Sequence, residues 1–177
     1  MIYTGTYISP LGGITLAGNN ECLTGLWFDG QKYFADTLAE EYENRETPVF
    51  SETRKWLDKY FSGKDPGFTP PLYLSSSLFR MEVWEILKLI PYGKVMTYGE
   101  IAAQIAKNRG ISAMSAQAVG GAVGRNPISL IIPCHRVVGN NGSLTGYAGG
   151  IDKKLKLLKL EKVNTEHMFI PKKGTAL

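Results

Sequence analysis

The 177-residue chain is poor in the residues from which metal centres and covalent frameworks are built: it has two cysteines, Cys22 and Cys134, and two histidines. Two thiols are too few for a disulfide scaffold. No CxxC or HxxxH spacing occurs, and Cys134 and His135 are adjacent, which argues against a closed four-ligand zinc site. No phosphate-cradling loop of the P-loop or dinucleotide type is present. GRNP and NNGSLTGYAGG are rich in Gly and Asn but lack the fixed spacing. The longest largely apolar run, Ile128 to Pro133, is far short of the roughly 18 residues a membrane helix needs. The opening MIYTGTYISP lacks a basic stretch followed by an apolar core, so it is not read as a secretory signal. These absences lead to the expectation of no metal, no cofactor, no membrane contact, and two reduced thiols in the cytoplasm.

What is present is an ordinary globular composition, 44% hydrophobic and 20% charged, which excludes disorder and collagen-like repeats. The charge is unevenly placed. Residues 1–75 carry six basic and ten acidic side chains, and residues 76–177 carry fourteen and six. An acidic half joined to a basic half suggests two units, the second facing a polyanion, although lysines on a solvated helix face would leave the same mark. GKDPGFTPPLYLSSS, rich in Pro, Gly and Ser, is the natural boundary. The domains are therefore placed at 1–75 and 76–177.

In the first half, Met1–Ile8, Gly13–Ala17 and Cys22–Phe28 read as strands broken by turn chemistry, with Asp29-Gly30 as a hairpin signal. A helix follows, capped by Thr47 with Pro48 at its first position. Val49, Phe50, Thr53, Trp56, Leu57 and Tyr60 share one face, and Gly63 ends the helix. The second half reads as mainly helical. Val83, Ile86, Leu87 and Ile90 repeat at helical spacing until Pro91-Tyr92-Gly93. Thr97-Tyr98-Gly99-Glu100 is a capping box opening GEIAAQIA, KNRGIS reads as a loop, and a further helix is expected near Ser115–Gly124. Two short helices around a connector fit a helix-turn-helix. The second contains Gly120, Gly121 and Gly124, each costing about 1 kcal/mol relative to Ala. Either the helix packs tightly on its neighbour or its bare backbone approaches another chain closely. Gln117 sits in the first turn, where recognition helices place contacting residues.

Asn126 to Gly139 carries the chemistry. The apolar run should be buried and extended, with Pro133 ending it. Cys134 then sits where a buried segment breaks, beside His135 and Arg136, whose positive charge would favour the reactive thiolate. Neighbours in an extended chain point to opposite sides, so His135 reaches the sulfur only if the chain turns there or through a bridging water. Glu161 ends the helix that begins at Asp152, where the helix dipole disfavours an anion. It either holds the imidazole or is a surface acid paired with Lys159 and Lys162. Cys22 is read as an inert thiol, and Tyr147 as a loop residue able to stack or hydrogen-bond.

PCHRV within NPISLIIPCHRVVGNNGSLTGYAGG closely resembles the O6-alkylguanine-DNA alkyltransferases, also called methylated-DNA–protein-cysteine methyltransferases. The resemblance runs from LFRMEVWEIL at Leu78 through AVGGAV to the LLKLE helix ending at Glu161; the acidic half matches only in size and strand–helix order. It implies an α+β protein: a small ribonuclease H-like N-terminal domain with a sheet and helix, and a C-terminal helical domain of winged-helix, helix-turn-helix type. Cys134 would accept the alkyl group, His135 would form the thiolate through a water, Glu161 would support His135, and Asn126 would brace the segment. Tyr98 would donate to N3 of the departing guanine. Val137, Tyr147, Ala148 and Gly149 would line the base pocket. Gln117, Gly120, Gly121, Arg125 and Asn140 would meet DNA.

The implied partner is double-stranded DNA carrying alkylated bases, with O6-alkylguanine, and O4-alkylthymine beside it, as lesions, and the protein is expected to act as a monomer. The base must leave the stack to meet the thiol. Transfer gives a thioether that no metal-ligand or cofactor motif in the chain could cleave, so one turnover is expected. Some members hold zinc in the first domain, against which the ligand count here argues. The family usually has arginine where Gln117 stands. Gln lacks the charge and the five-donor fork, and Lys107 and Arg109, in the preceding loop, are expected partly to replace them. The rival readings are a non-catalytic alkyl-lesion-binding protein and a Cys–His hydrolase.

Overall fold

The computed structural model describes residues 1–172, so the last five residues of the basic half lie outside the described ones. The chain forms two compact units, Met1–Ser75 with Pro127–Ile131, and Ser76–Asn126 with Ile132–Leu177.

The first unit is built on a four-stranded sheet. Strands β1 (Ile2–Ser9), β2 (Gly12–Gly18) and β3 (Leu23–Phe28) form an antiparallel meander, and β4 (Tyr42–Asn44) pairs parallel with β1, giving the order β3-β2-β1-β4. Helix α1 (Pro48–Phe61) starts as its sequence dictates. Thr47 accepts from the Phe50 amide, Pro48 fills the first position where no N–H is needed, and the six residues assigned to one face are the buried ones. With Leu16, Leu26, Trp27 and Phe28 of the sheet they make this unit's core, each large side chain contributing about 1.5–3 kcal/mol.

Two expectations fail here. Asp29-Gly30 does not make a hairpin. After β3 the chain winds through successive turns, and the outer edge of β3 is occupied otherwise: Leu23 donates to Pro71 O and Leu26 to Pro127 O, while Ser129 donates to Leu26 O. The run Ile128–Ile132 is buried but not extended. Leu130 adopts φ 70, Ile131 donates back to Ser129 O, and the Asn126 amide reaches Ile132 O at 2.7 Å, which gathers the segment into a loop. Residues 127–131 thus belong to the first unit although they come some fifty positions after the boundary connector.

The second unit is helical. Helices α2 (Leu78–Lys88), α3 (Tyr98–Arg109) and α4 (Ala116–Gly124) pack together, and α5 (Ile151–Leu160) closes the unit. Ser77, Thr97 and Ser115 cap the first three, each accepting from the amide three residues on, and Glu100 completes the capping box by accepting from the Thr97 amide. The Trp84 indole donates to Ala122 O at 2.9 Å and ties α2 to α4. The two-residue strands β5 (Met96–Thr97) and β6 (Val137–Val138) pair in parallel. Thr97 launches α3, and Val137 comes directly after Cys134-His135-Arg136, so this ladder fixes the cap of one element and the exit of the other in register. Helix α3 also runs further than expected: Lys107 and Arg109 lie in its last turn, not in a loop.

Replacing Thr97 by Ala removes one half of the capping box and should cost about 1 kcal/mol. Urea denaturation should show a lower midpoint at unchanged slope.

Candidate active site

Cys134 opens a single 3-10 turn, Cys134–Arg136, in which all three residues are buried. The turn settles what adjacency could not. His135 and Arg136 both swing onto Glu161, the residue that caps α5. His135 Nε2 lies 2.6 Å from Glu161 Oε1, Arg136 Nε donates to Oε2 at 2.9 Å, and Arg136 Nη2 donates to Oε1 at 3.1 Å. A further donor comes from the turn after α2, where the Gly93 amide reaches Oε2 at 3.0 Å. Gly93 has φ 75, and a Cβ there would stand 3.1 Å from Glu161 O, so the approach suits glycine. Arg136 Nη1 donates to Ile90 O at 2.6 Å.

Glu161 is 2% exposed, so the surface pairing with Lys159 and Lys162 is ruled out. Burial alone would raise its carboxyl, but the hydrogen bonds from His135 and Arg136 and the charge of Arg136 outweigh that and hold it at about 2. His135 goes the other way: burial lowers it below its ordinary value, against the pull of Glu161. A carboxylate facing a neutral imidazole must accept from it. The proton therefore sits on Nε2, and Nδ1 keeps its lone pair.

The sulfur has a different set of neighbours from those expected. Burial pushes the Cys134 thiol up, and the largest opposing influence is the Asn126 side chain, whose Nδ2 donates to Sγ at 3.2 Å. Next comes the charge of Lys154, and then the backbone amides of Cys134 and His135. The positive charge expected from Arg136 and His135 is not what acts on the sulfur. Arg136 is committed to Glu161 and Ile90, and His135 is held neutral. A solvated face for the lysines of the last helix does not extend to Lys154, which is fully buried. The sign in the sequence is its place at helical spacing between Ile151 and Leu158, on the apolar face.

The other expected positions divide into two groups. The charge of Cys134 bears on Tyr98 and Tyr147, and Val137 directly follows the 3-10 turn. Tyr98 donates to Thr145 O at 2.9 Å. Tyr147 sets its ring edge-on to His135 at 6.5 Å, and its hydroxyl is buried without a hydrogen-bond partner among the described residues. Burial, with the charges of Cys134 and Glu161, raises its phenol well above the ordinary value. Val137 is buried in β6, and Ala148 and Gly149 are half-buried beside Tyr147. Away from the buried cluster, Gln117 and Gly121 lie exposed on α4, and Arg125 caps its end. Asn140 is exposed, its side chain against Gly99 in the first turn of α3. A Cβ at Gly121 or Gly124 would meet nothing within 4 Å, and at Gly120 only the Tyr98 ring at 3.8 Å. Internal packing therefore does not require these glycines. Arg109, expected partly to replace a missing arginine, pairs with Glu82 at 2.5 Å at the surface and lies over the Phe79 ring. Among the described residues no group of three or more His, Cys, Asp or Glu could hold a metal ion, and no helix is long and apolar enough to cross a membrane.

Comparison with known proteins gives matches along nearly the whole chain. Residues 2–74 match the family model described as 6-O-methylguanine DNA methyltransferase, ribonuclease-like domain, and residues 78–163 match its DNA binding domain. The chain is 42% identical over 162 residues to the methylated-DNA–protein-cysteine methyltransferase of Mycobacterium leprae, covering 92% of this chain and 93% of that one. It is 46% identical over 156 residues to the protein of that description from Methanosarcina barkeri, covering 88% and 94%. The solved structure of Mycobacterium tuberculosis OGT in complex with DNA superposes with a TM-score of 0.77 at 40% identity, covering 90% of this chain and 92% of that one.

Replacing Glu161 by Gln would leave Arg136 buried without its counter-charge and should cost about 3–5 kcal/mol. The pH dependence has a definite sign. The folded carboxyl titrates near 2 and the free one near 4.5, so its stabilisation is complete above 4.5 and disappears as pH falls through 2. Denaturation midpoints measured across that window should fall for the parent chain, with the part due to this group missing in the variant.

Proposed function

The chain belongs to the 6-O-methylguanine DNA methyltransferase family, and from that premise we propose that Cys134 is the residue that takes the alkyl group. The activity is DNA repair by direct reversal, in which an alkyl group leaves the damaged base for a cysteine of the protein itself. The observation that carries the assignment is a buried sulfur held by the Asn126 donor at 3.2 Å, next to an imidazole locked on a carboxylate at 2.6 Å.

The geometry supports a role for each residue. Glu161 accepts from His135 Nε2, so Nδ1 carries no ring proton and takes the thiol proton through a water, giving an imidazolium that Glu161 stabilises. Arg136 keeps Glu161 ionised while this happens. The thiolate attacks the alkyl carbon in line with the bond to O6 of guanine. A carbon–sulfur bond forms, the carbon–oxygen bond breaks with its electron pair on oxygen, and the base recovers one proton. Tyr98 serves the leaving base at N3 once its bond to Thr145 is exchanged for the base. Val137, Tyr147, Ala148 and Gly149 line the pocket, and the partnerless hydroxyl of Tyr147 supplies a polar contact within it.

The substrate is double-stranded DNA with an alkylated base rotated out of the stack, guanine alkylated at O6 first and thymine at O4 beside it. Helix α4 makes the approach. Its glycines meet little of the protein's own side chains, which suits a backbone that comes close to a groove wall. Gln117 enters the space of the rotated base, with Arg125 and Asn140 at the phosphates. The protein is taken to act as a monomer in the cytoplasm, where the DNA of a cell without a nucleus lies. A lesion-binding protein without transfer would have no use for the donors gathered on the sulfur, and that reading is set aside.

The test is intact-mass measurement after incubation with DNA containing O6-methylguanine. One methyl should add per molecule, located on Cys134, and none in Cys134→Ser. Tight binding without a mass change would restore the lesion-binding reading, and repeated release of product the hydrolase reading. A second expectation concerns Gln117. On undamaged duplex, where no base is rotated out, its replacement by Arg adds one positive charge against the backbone and should steepen the slope of log affinity against log salt by up to about 0.9, read by fluorescence anisotropy.

A further inference from the structure

The buried charges of the second unit sort into pairs with one left over. Glu161 is matched by Arg136, and His135 is neutral by burial. Lys154 on α5 is fully buried, and among the described residues no carboxylate pairs with it. Its Nζ donates to Thr145 O at 2.7 Å and sits 5.9 Å over the Tyr98 ring. A buried ammonium with one carbonyl and one ring face is poorly compensated, since water solvates such an ion far better than they do. The group able to supply the missing negative charge is the sulfur of Cys134 in its ionised form.

We infer that Lys154 is a positioning residue for alkyl transfer: its buried ammonium is the counter-charge of the Cys134 thiolate, and its hydrogen bond to Thr145 O holds the segment leading to Tyr147 in place beside that sulfur. The inference rests on Cys134 being the acceptor. Two further observations support it. Burial brings Lys154 down to about 8, and the charge of an ionised Cys134 works against that. Thr145 O also accepts from Tyr98 Oη at 2.9 Å, so one carbonyl joins the lysine, the residue opening α3 and the loop that carries Tyr147.

A division of labour results. His135 moves the proton and Lys154 offsets the charge left behind. The step stays balanced: the thiol proton goes to His135 and from there to the base, and Lys154 keeps its own protons while the anion lasts. Once sulfur is a neutral thioether, the ammonium loses its counter-charge. The groups around this pair that are able to influence a titration are Cys134 and His135 from the 3-10 turn, Tyr98 from α3 and Tyr147 from the loop, with Arg136 and Glu161 acting through His135.

The experiment is the rate of Cys134 alkylation by iodoacetamide against pH, in full-length protein with Cys22 replaced by Ala so that one thiol is read. Lys154→Met keeps the aliphatic stem and removes the charge. The midpoint of its profile should lie about one unit or more above that of the Lys154 protein, with roughly tenfold slower alkylation at neutral pH and recovery at high pH. An unmoved midpoint overturns the inference, even if transfer from O6-methylguanine DNA is slowed. A measurement on the unsubstituted lysine covers the case in which that variant does not fold: the lysine Nζ resonance followed by NMR before and after Cys134 is alkylated. The Lys154 titration should move down by about one unit, and an unchanged titration overturns the inference. Absence of methyl on Cys134 after incubation with damaged DNA would instead defeat the acceptor assignment, and neither iodoacetamide profile nor lysine titration reports on that.

Discussion

A single buried carboxylate organises the second unit. Glu161 stands at the C-terminal end of α5, where the helix dipole works against an anion, and it is removed from water. Such a group is tolerated only when its oxygens are fully used. Here Oε1 serves His135 and Arg136, while Oε2 serves Arg136 and the Gly93 amide. These bonds join three stretches far apart in sequence: the turn after α2, the Cys134–Arg136 turn and the end of α5. The tautomer of His135, and hence the nitrogen that can receive a proton, is set by this one acceptor. Arg136 is best understood as the guarantor of Glu161 rather than as a group acting on the sulfur.

The sulfur poses the opposite problem. Burial favours the neutral thiol, whereas attack on an alkyl carbon requires the anion. The structure answers with several modest influences. Asn126 gives a direct donor, the 3-10 turn aims backbone amides at Sγ, and Lys154 supplies charge. The same Asn126 side chain holds Ile132 O at 2.7 Å, so the loop that delivers Cys134 and the polarity around its sulfur depend on one amide. The β5–β6 pair then sets the turn in register with the start of α3, which brings Tyr98 to the same loop as Lys154.

Local signals are legible in the sequence wherever the chain's own chemistry decides the outcome. Thr47-Pro48 and Thr97–Glu100 each dictate a helix start, and the apolar spacing of α1 names its buried face residue by residue. PCHRV marks the reactive segment. What escapes is decided by distant partners. Asp29-Gly30 has hairpin chemistry, but the edge of β3 is taken by Pro71 and by Pro127–Ser129. Ile128–Ile132 is apolar enough for a strand, yet an asparagine reaching six residues ahead folds it into a loop. Lys154 is hidden by the assumption that a lysine on an amphipathic helix faces water. Its position on the Ile151–Leu158 stripe contradicts that assumption, and a buried charge on an apolar stripe is worth a search for its partner. The Gly93 amide has no signature at all, because its role is set only by where α5 ends.

Burial also bears on how a single-use acceptor survives until it is needed. If Cys134 is the acceptor proposed above, it must be spared the alkylating and oxidising agents it would meet in solvent, and susceptibility to those depends on thiolate character and exposure together. Cys134 is 5% exposed, and its burial raises the thiol against the donors that lower it. Burial thus works against the anion and shields the sulfur, while the groups that favour ionisation already stand around it. On the assignment proposed above, only a base brought in beside Tyr147 and Tyr98 would meet the sulfur when the proton moves to His135. Exposure alone would rank the two thiols the other way, since Cys22 is the less buried of them. What distinguishes Cys134 is the set of donors and the cation arranged around it before any substrate arrives. Selectivity in this protein thus comes from access to an activated thiol, and hiding that thiol is what requires the buried polar residues that surround it.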